Sequence, residues 1–241
     1  MKSATAKEKP PHRPTIPHPS TLGPVPDLEA HVRPDWWRTL FNALYLKTDG
    51  DVVEDEAITR YEVGRCSQIL GLLPEHAILD LCCGQGRHAL ELARRGFLHL
   101  DGIDRSHYLV QQARARAAKE GLKPRFREGD ARKLPYPADS FDFVMLLGNS
   151  FGYFADSQDD QGVLREVLRV LKPDGTVLLD LADGEYLRGN YQPRSWEWLD
   201  QTHFVCRERS LSRDGQRLIA REVVTHVEKG VLADQFYAER L

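Results

Sequence analysis

The stretch Ala77-Ile-Leu-Asp80-Leu-Cys82-Cys-Gly84-Gln-Gly86-Arg-His88 decides how this chain is read. A short apolar run ends in an acid, and two glycines then open a helical segment over 86–95 that Gly96 closes. Lacking Cβ atoms, Gly84 and Gly86 let the backbone turn sharply and approach a ligand closely. The first turn of the following helix offers free N–H groups and a partial positive charge, which suit a carboxylate or phosphate. Asp80 stands at the carboxyl end of the strand, where ligands of open α/β sheets bind.

Outward from this stretch, apolar runs alternate with helical ones across 74–183. Strands are predicted at 77–82, 98–104, 125–128, 141–147 and 176–181. Between them lie the helix from Gly86, one that Ser106 caps and Gly121 ends, and one carrying Val163/Leu164, Val167/Leu168 and Leu171. Ser157 with Asp160 resembles a capping box for the last of these. Lys172-Pro-Asp-Gly175 turns the chain into the fifth strand. Such alternation predicts an α/β fold with a doubly wound, mostly parallel sheet and helices on both faces. Asp139 and Asp142 are expected to hold the turn before the fourth strand.

The flanks read differently. Seven of the 14 prolines (Pro10, Pro11, Pro14, Pro17, Pro19, Pro24 and Pro26) precede Asp27, so 1–33 is expected to be a disordered tail. Over 34–73, Trp36/Trp37, Leu40/Phe41 and Leu44/Tyr45 recur at i, i+4, and Val63, Cys66 and Leu70 follow, predicting two N-terminal capping helices whose aromatic stripe is core. Over 184–241, strands at 196–199, 203–210, 217–228 and 231–237, with turns at Arg213-Asp-Gly215 and Glu228-Lys-Gly230, predict an antiparallel meander with one wet face.

Composition narrows the function. A formal net charge of -3 gives no field to gather nucleic-acid phosphates, so a nucleic-acid partner is disfavoured. The four cysteines show no metal-ligand spacing, and Cys82 and Cys83 are adjacent, so no metal is expected and reduced thiols in the cytoplasm are the simplest account. No apolar run is long enough to span a membrane. A homo-oligomer stays open.

Two further acids bear on the ligand. Gly84, Gly86 and Ala89 satisfy the loose dinucleotide fingerprint, which alone says little. Asp104 ends the second strand, where a carboxylate can accept both hydroxyls of a ribose, as NAD enzymes also use it. Asp130, in Gly129-Asp-Ala131 after the third strand, can accept from an adenine amino group. The landmarks Asp80–Gly86, Gly102-Ile-Asp104, Gly129-Asp130-Ala131, Asp139-Ser-Phe-Asp142 and Leu171–Gly175 resemble, in order and spacing, those of class I S-adenosylmethionine-dependent methyltransferases. The match covers roughly 58–183. The resemblance implies a Rossmann-like fold, with Asp80 near the methionine amino group, Gly84 and Gly86 allowing close approach, Asp104 on the ribose, and Asp130 and Ala131 at the adenine. Cys82 departs from it, standing where the family places a first glycine.

Arg105, Leu147 and Asn149 complete the candidate cofactor set with Cys82. Asn149, Phe151 and Tyr153, together with Tyr45 and Tyr61 on the N-terminal helices, form the candidate acceptor set, and Phe154 can join the wall. Aromatic faces suit a sulfonium or an ammonium. The Asn/Asp-Pro-Pro-Tyr signature of amino-methylating DNA and protein-glutamine enzymes is absent. His88, His203 and His226 qualify as bases by type only, and no base is assigned.

Three readings follow. The leading one is a methyltransferase that takes S-adenosylmethionine, releases S-adenosylhomocysteine and serves a small-molecule acceptor by in-line displacement. The others are an NAD-linked oxidoreductase, which leaves Asp80 and Asp130 unexplained, and a non-catalytic module that keeps the cofactor fold. Family members run on into a further helix and strand pair where this chain stops, so truncation is also an expectation.

Overall fold

Residues 23–241 are described by a computed structural model. The tail expected over 1–33 therefore lies largely outside the described residues.

Ile78, Leu79 and Leu81, then Val144, Met145 and Leu146, are buried on both faces of their strands, as a central parallel sheet requires. That sheet comprises β1 (Ala77–Leu81), β2 (His99–Asp104), β3 (Arg125–Glu128), β4 (Phe141–Leu146) and β5 (Leu171–Leu179), in the order β3-β2-β1-β4-β5. Every pairing is parallel. Register aligns the carboxyl ends, with Leu81 opposite Ile103 and Asp104 opposite Glu128, so the loops after β1, β2, β3 and β4 gather on one side.

The connecting helices are α5 (Arg87–Arg94), α6 (His107–Glu120) and α7 (Ser157–Val170). Val163 and Val167 of α7 pack on Leu79, Ile103, Val144 and Leu146, while Leu92 of α5 packs with Ile78, Leu100 and Met145 beneath the opposite face. Ser106 caps α6 by accepting from Leu109 N at 3.2 Å. For α7 the expected capping box is replaced by Asp156, which accepts from Gln158 N at 2.8 Å, because Asp160 turns inward to Arg240 at 3.0 Å. β5 starts at Leu171, earlier than expected, by pairing across a register shift between Phe141 and Phe143. A Cβ on Gly175 would lie 3.0 Å from Lys172 O and 3.1 Å from Phe141 O, so the bulge is tight around this bare backbone. Asp142 holds the strand start, accepting from Ala77 N and Lys172 Nζ, both at 2.8 Å.

In place of two capping helices there are three single turns, α1 (Trp37–Leu40), α2 (Tyr45–Thr48) and α3 (Gly50–Val53), and one long helix, α4 (Glu56–Leu70). Asn42 interrupts the first run by accepting from Leu44 N and donating to Thr39 O, both at 2.7 Å. Asp55 starts α4, accepting from Ala57 N and Ile58 N at 2.6 and 3.0 Å.

Asp183 caps a helix not expected from the sequence, α8 (Gly184–Asn190). Then follow β6 (Arg194–Trp198), β7 (His203–Leu211), β8 (Arg217–His226) and β9 (Gly230–Arg240), an antiparallel sheet in chain order. One face packs Ile219, Phe236 and Ala238 against Val25, Leu28 and Val32. Leu28 is 6% exposed, so residues 25–32, expected within the tail, instead cover the sheet: three apolar side chains among the prolines find an apolar face. Among the described residues no helix is long and apolar enough to cross a membrane, and no group of three or more His, Cys, Asp or Glu side chains could hold a metal.

Candidate cofactor and acceptor site

The loop after β1 is built from left-handed residues: φ is 59° at Cys82, 53° at Gly84 and 77° at Gly86. For Cys82, the departure from a glycine at this place, that conformation is strained by roughly 1–2 kcal/mol. Asp104 holds the loop. Its Oδ2 accepts from Gly84 N at 2.8 Å and its Oδ1 from Ser106 N at 2.7 Å. Burial pushes the Asp104 carboxyl up, against the pull of those N–H donors. His88 is buried and bonds Glu62 of α4 at 3.0 Å; despite burial, His88 and Arg87 hold the Glu62 carboxyl down at about 2.

Beside this loop lies a cavity of about 830 Å³. Cys82, Gly84, Asp104, Arg105, Asp130 and Ala131 form one wall; Trp37, Phe41, Tyr45, Phe151, Tyr153 and Phe154 form the other. Asp130 accepts from Arg132 N, Nε and Nη2 at 3.0, 2.9 and 2.6 Å, and the guanidinium keeps its carboxyl below the ordinary range. Arg105 meets Glu128 at 3.2 Å.

Five expected residues stand off this cavity: Asp80, Gly86, Leu147, Tyr61 and Asn149, which was expected at the cofactor too. Asp80 is 2% exposed and does not line the cavity; its Oδ2 accepts from Ala89 N at 3.2 Å inside the first turn of α5, and burial raises its carboxyl. Gly86 is also off the wall, and a Cβ there would fall 2.6 Å from Phe126, so its bareness serves helix–strand packing. Leu147 is buried and borders an adjoining cleft with Cys82 and Gly84. Tyr61 is 70% exposed on α4 and borders no cavity described here.

A second cavity, about 550 Å³, adjoins the first and shares Phe41, Tyr45, Ser150 and Tyr153 with it. Asn149 borders this one, its backbone left-handed at φ 55° and its Oδ1 accepting from Ala182 N at 3.1 Å. The remaining lining includes Trp36, Asp49, Glu222, Tyr237 and Glu239, none of which the sequence singled out as a binding residue. Trp36 and Trp37 stood out only as an apolar stripe. The acids carry no local signal, because it is strand pairing that places Glu222 and Glu239 on one face of β8 and β9.

The first cavity has features that suit a nucleoside. A Cβ on Gly84 would meet nothing nearer than Leu109 at 3.8 Å, so the bare backbone leaves open space in the wall. Trp37 Nε1 is buried without a hydrogen-bond partner and waits on an acceptor. The Asp104 carboxylate keeps lone pairs beyond its two backbone bonds.

Residues 78–175 match the family model described as a methyltransferase domain. That match, with the relatives below, supports a class I S-adenosylmethionine-dependent methyltransferase domain over these residues. The chain is 32% identical over 170 residues to the 27-O-demethylrifamycin SV methyltransferase of Amycolatopsis mediterranei, covering 68% of this chain and 59% of the relative. It is 37% identical over 123 residues to a sterol 24-C-methyltransferase of Gibberella zeae, covering 50% of this chain and 31% of the relative. The chain thus spans about a third to three fifths of the length of these curated relatives. An S-adenosylmethionine-dependent methyltransferase from Clostridium acetobutylicum superposes with a TM-score of 0.66 at 21% identity, covering 82% of this chain and 78% of that one, and so shares the fold. These similarities imply S-adenosylmethionine as the cofactor.

Proposed function

We propose that this methyltransferase moves a methyl group from S-adenosylmethionine to a small-molecule acceptor and releases S-adenosylhomocysteine. The observation that carries the reading is the shared wall of Phe41, Tyr45, Ser150 and Tyr153 between two adjoining cavities. Two ligands seated on either side of one wall can meet, which a transfer reaction requires.

The assignments are these. Asp104 accepts from the ribose hydroxyls while its backbone bonds fix the glycine loop, and Gly84 admits the cofactor's backbone-facing side. Asp130, oriented by Arg132, and Ala131 border the adenine, and Trp37 Nε1 donates to an acceptor on the ligand. Asp80 acts indirectly, by setting the first turn of α5 beneath the loop. When bound, S-adenosylmethionine supplies an activated methyl on a sulfonium. Phe41, Tyr45, Phe151 and Tyr153 exclude water from the meeting point and align the acceptor, which is the larger part of what such a displacement needs. The four free cysteines support a reducing, cytoplasmic setting.

The test is calorimetry of the full chain with S-adenosylhomocysteine and, separately, with NAD. Binding of the first and not the second is expected. Binding of NAD alone would overturn the reading.

A further inference from the structure

We propose that the second cavity takes the methyl acceptor as an amine, held as its ammonium by Glu239 and Asp49 against the rings of Trp36, Tyr45, Tyr153 and Tyr237. This rests on the methyltransferase reading and adds the chemical class of acceptor.

The pocket is more than a group of acids. Glu239, on β9, lines it yet accepts no hydrogen bond and meets no cation at ion-pair distance among the described residues. Burial, followed by the Asp49 charge, raises its carboxyl to about 7. Arg209, on β7, acts on it only through space, since that guanidinium donates to Gln192 O and Ser195 Oγ. Asp49 accepts from Thr48 Oγ1 at 2.8 Å and has no ion-pair partner either; burial raises it to about 6. Glu222 differs, because Arg207 pairs with it at 2.6 Å and Gln235 and Tyr237 donate to it at 3.1 and 3.3 Å. A partly desolvated carboxylate without a partner is costly, and a ligand cation removes that cost.

The rings make the same point independently. Trp36 stands 5.1 Å from Tyr153 and 5.7 Å from Tyr237, and Tyr153 lies 5.7 Å from Phe41, all centroid to centroid. Rings at these separations pack on one another and leave no gap for a cation between them; as lining of the cavity they offer an ammonium their remaining negative faces. A neutral alcohol gains nothing comparable from either feature.

The reaction balances. The ammonium gives one proton to Glu239 or Asp49. The freed nitrogen lone pair forms the N–C bond as the S–C bond breaks and its electron pair stays on sulfur. The product leaves as a methylated ammonium, and the carboxyl returns its proton to water.

The test uses the full chain with S-adenosylhomocysteine bound, titrated with matched probes: cyclohexylamine and cyclohexanol, 2-phenylethylamine and 2-phenylethanol, glucosamine and glucose. At least one amine should bind about tenfold or more tighter than its alcohol, and tritiated methyl should pass to that amine. Glu239→Gln and, separately, Asp49→Asn should bring the amine-to-alcohol ratio towards one at unchanged S-adenosylhomocysteine affinity, with Glu239→Asp retaining part of the preference. No amine preference in the unaltered chain, or a preference that survives both substitutions, overturns the proposal. Methylation of an alcohol or carbon acceptor with no amine bound leaves the methyltransferase reading standing and removes the amine. Failure to bind S-adenosylhomocysteine removes both.

Discussion

Asp104→Asn separates a structural acid from a ligand-holding one. The native carboxylate accepts from Gly84 N at 2.8 Å with one oxygen and from Ser106 N at 2.7 Å with the other. An amide has a single acceptor oxygen, so one of these N–H groups would face an NH₂ instead. A hydrogen bond to a charged group contributes about 1.5–3 kcal/mol. Losing one should lower unfolding stability by that amount and let the glycine loop drift. If the same carboxylate also receives the ribose hydroxyls, S-adenosylhomocysteine affinity falls by a further factor of about 10–150, the same energy expressed as an equilibrium. Calorimetry gives the affinity, and urea unfolding of the free protein gives the stability. A folded variant that binds as tightly as the unaltered chain refutes the ribose assignment. A variant that loses stability alone leaves Asp104 as a loop brace only.

Other substitutions divide along the same line. Gly86→Ala should cost about 2–4 kcal/mol of stability, since the new methyl meets Phe126 at 2.6 Å and Ala113 at 2.9 Å with φ at 77°; Gly84→Ala, with open space around it, should weaken S-adenosylhomocysteine binding more than it lowers the melting temperature, and the reverse ranking would contradict the wall described here. Cys82→Val should destabilise by about 2 kcal/mol or more, because a β-branched residue tolerates φ 59° worse than cysteine does, whereas Cys82→Gly should unfold no earlier than the native chain in a thermal scan. Arg217→Ala should expose the loop over 148–154 to limited proteolysis, since Arg217 donates to Gly152 O at 3.2 Å and to Phe154 O; an unchanged digestion pattern would deny it that bracing role. For pH, Asp49 (3.8 raised to about 6) and Glu239 (4.5 raised to about 7) hold protons longer folded than unfolded, so the stability they contribute is full below about pH 4 and lost as pH rises towards 7. Each is worth at most about 3 kcal/mol, and Glu239→Gln should flatten the profile measured by urea midpoints between pH 4 and 8.

The parallel sheet was legible because its signals are local. Apolar runs ending in Asp or Gly mark strand ends, and Ser106 and Gly121 bracket α6 as capping chemistry predicts. Asp104 and Asp130 could be placed on the cavity for the same reason: one ends β2 and the other lies two residues past β3, at the carboxyl edge that faces the cavity. Asp80 has the same sequence credentials, yet its carboxylate turns into the first turn of α5, a choice of side-chain direction that no pattern records. Tyr61 failed on phase. Val63, two residues on, is 1% exposed, and two residues turn an α-helix by about 200°, which leaves Tyr61 on the outer side. Alternation in the meander was visible with one wet face expected, but the last strand was expected to end at 237, and no local signal singles out Gln235, Tyr237 or Glu239. Their partners at Glu222, Ala220 and Leu218 follow from pairing with β8, and the same face closes over a cavity under Trp36 and Leu40.

That placement gives the two sheets different tasks. The carboxyl ends of β1, β2 and β3 supply Cys82, Asp104 and Asp130 to the first cavity, so the proposed cofactor wall is tied to the parallel sheet by its register. The proposed acceptor wall is assembled from farther apart: Trp36 and Phe41 flank α1, Tyr45 starts α2, Tyr153 follows β4, Glu222, Tyr237 and Glu239 come from β8 and β9, and Arg217 and Arg240 reach from those strands to the loop after β4 and to Asp160 of α7. Gly152 is the tightest point of that junction, at φ 86° with a Cβ position only 2.8 Å from Arg240. Tyr153 is next in the chain and belongs to both cavities. On the proposed reading, a shift of β8 and β9 against the parallel sheet would move Tyr153 between the two ligands while leaving the proposed Asp104 and Asp130 contacts in place, and side chains on β8 and β9 would set what is methylated without changing what donates the methyl.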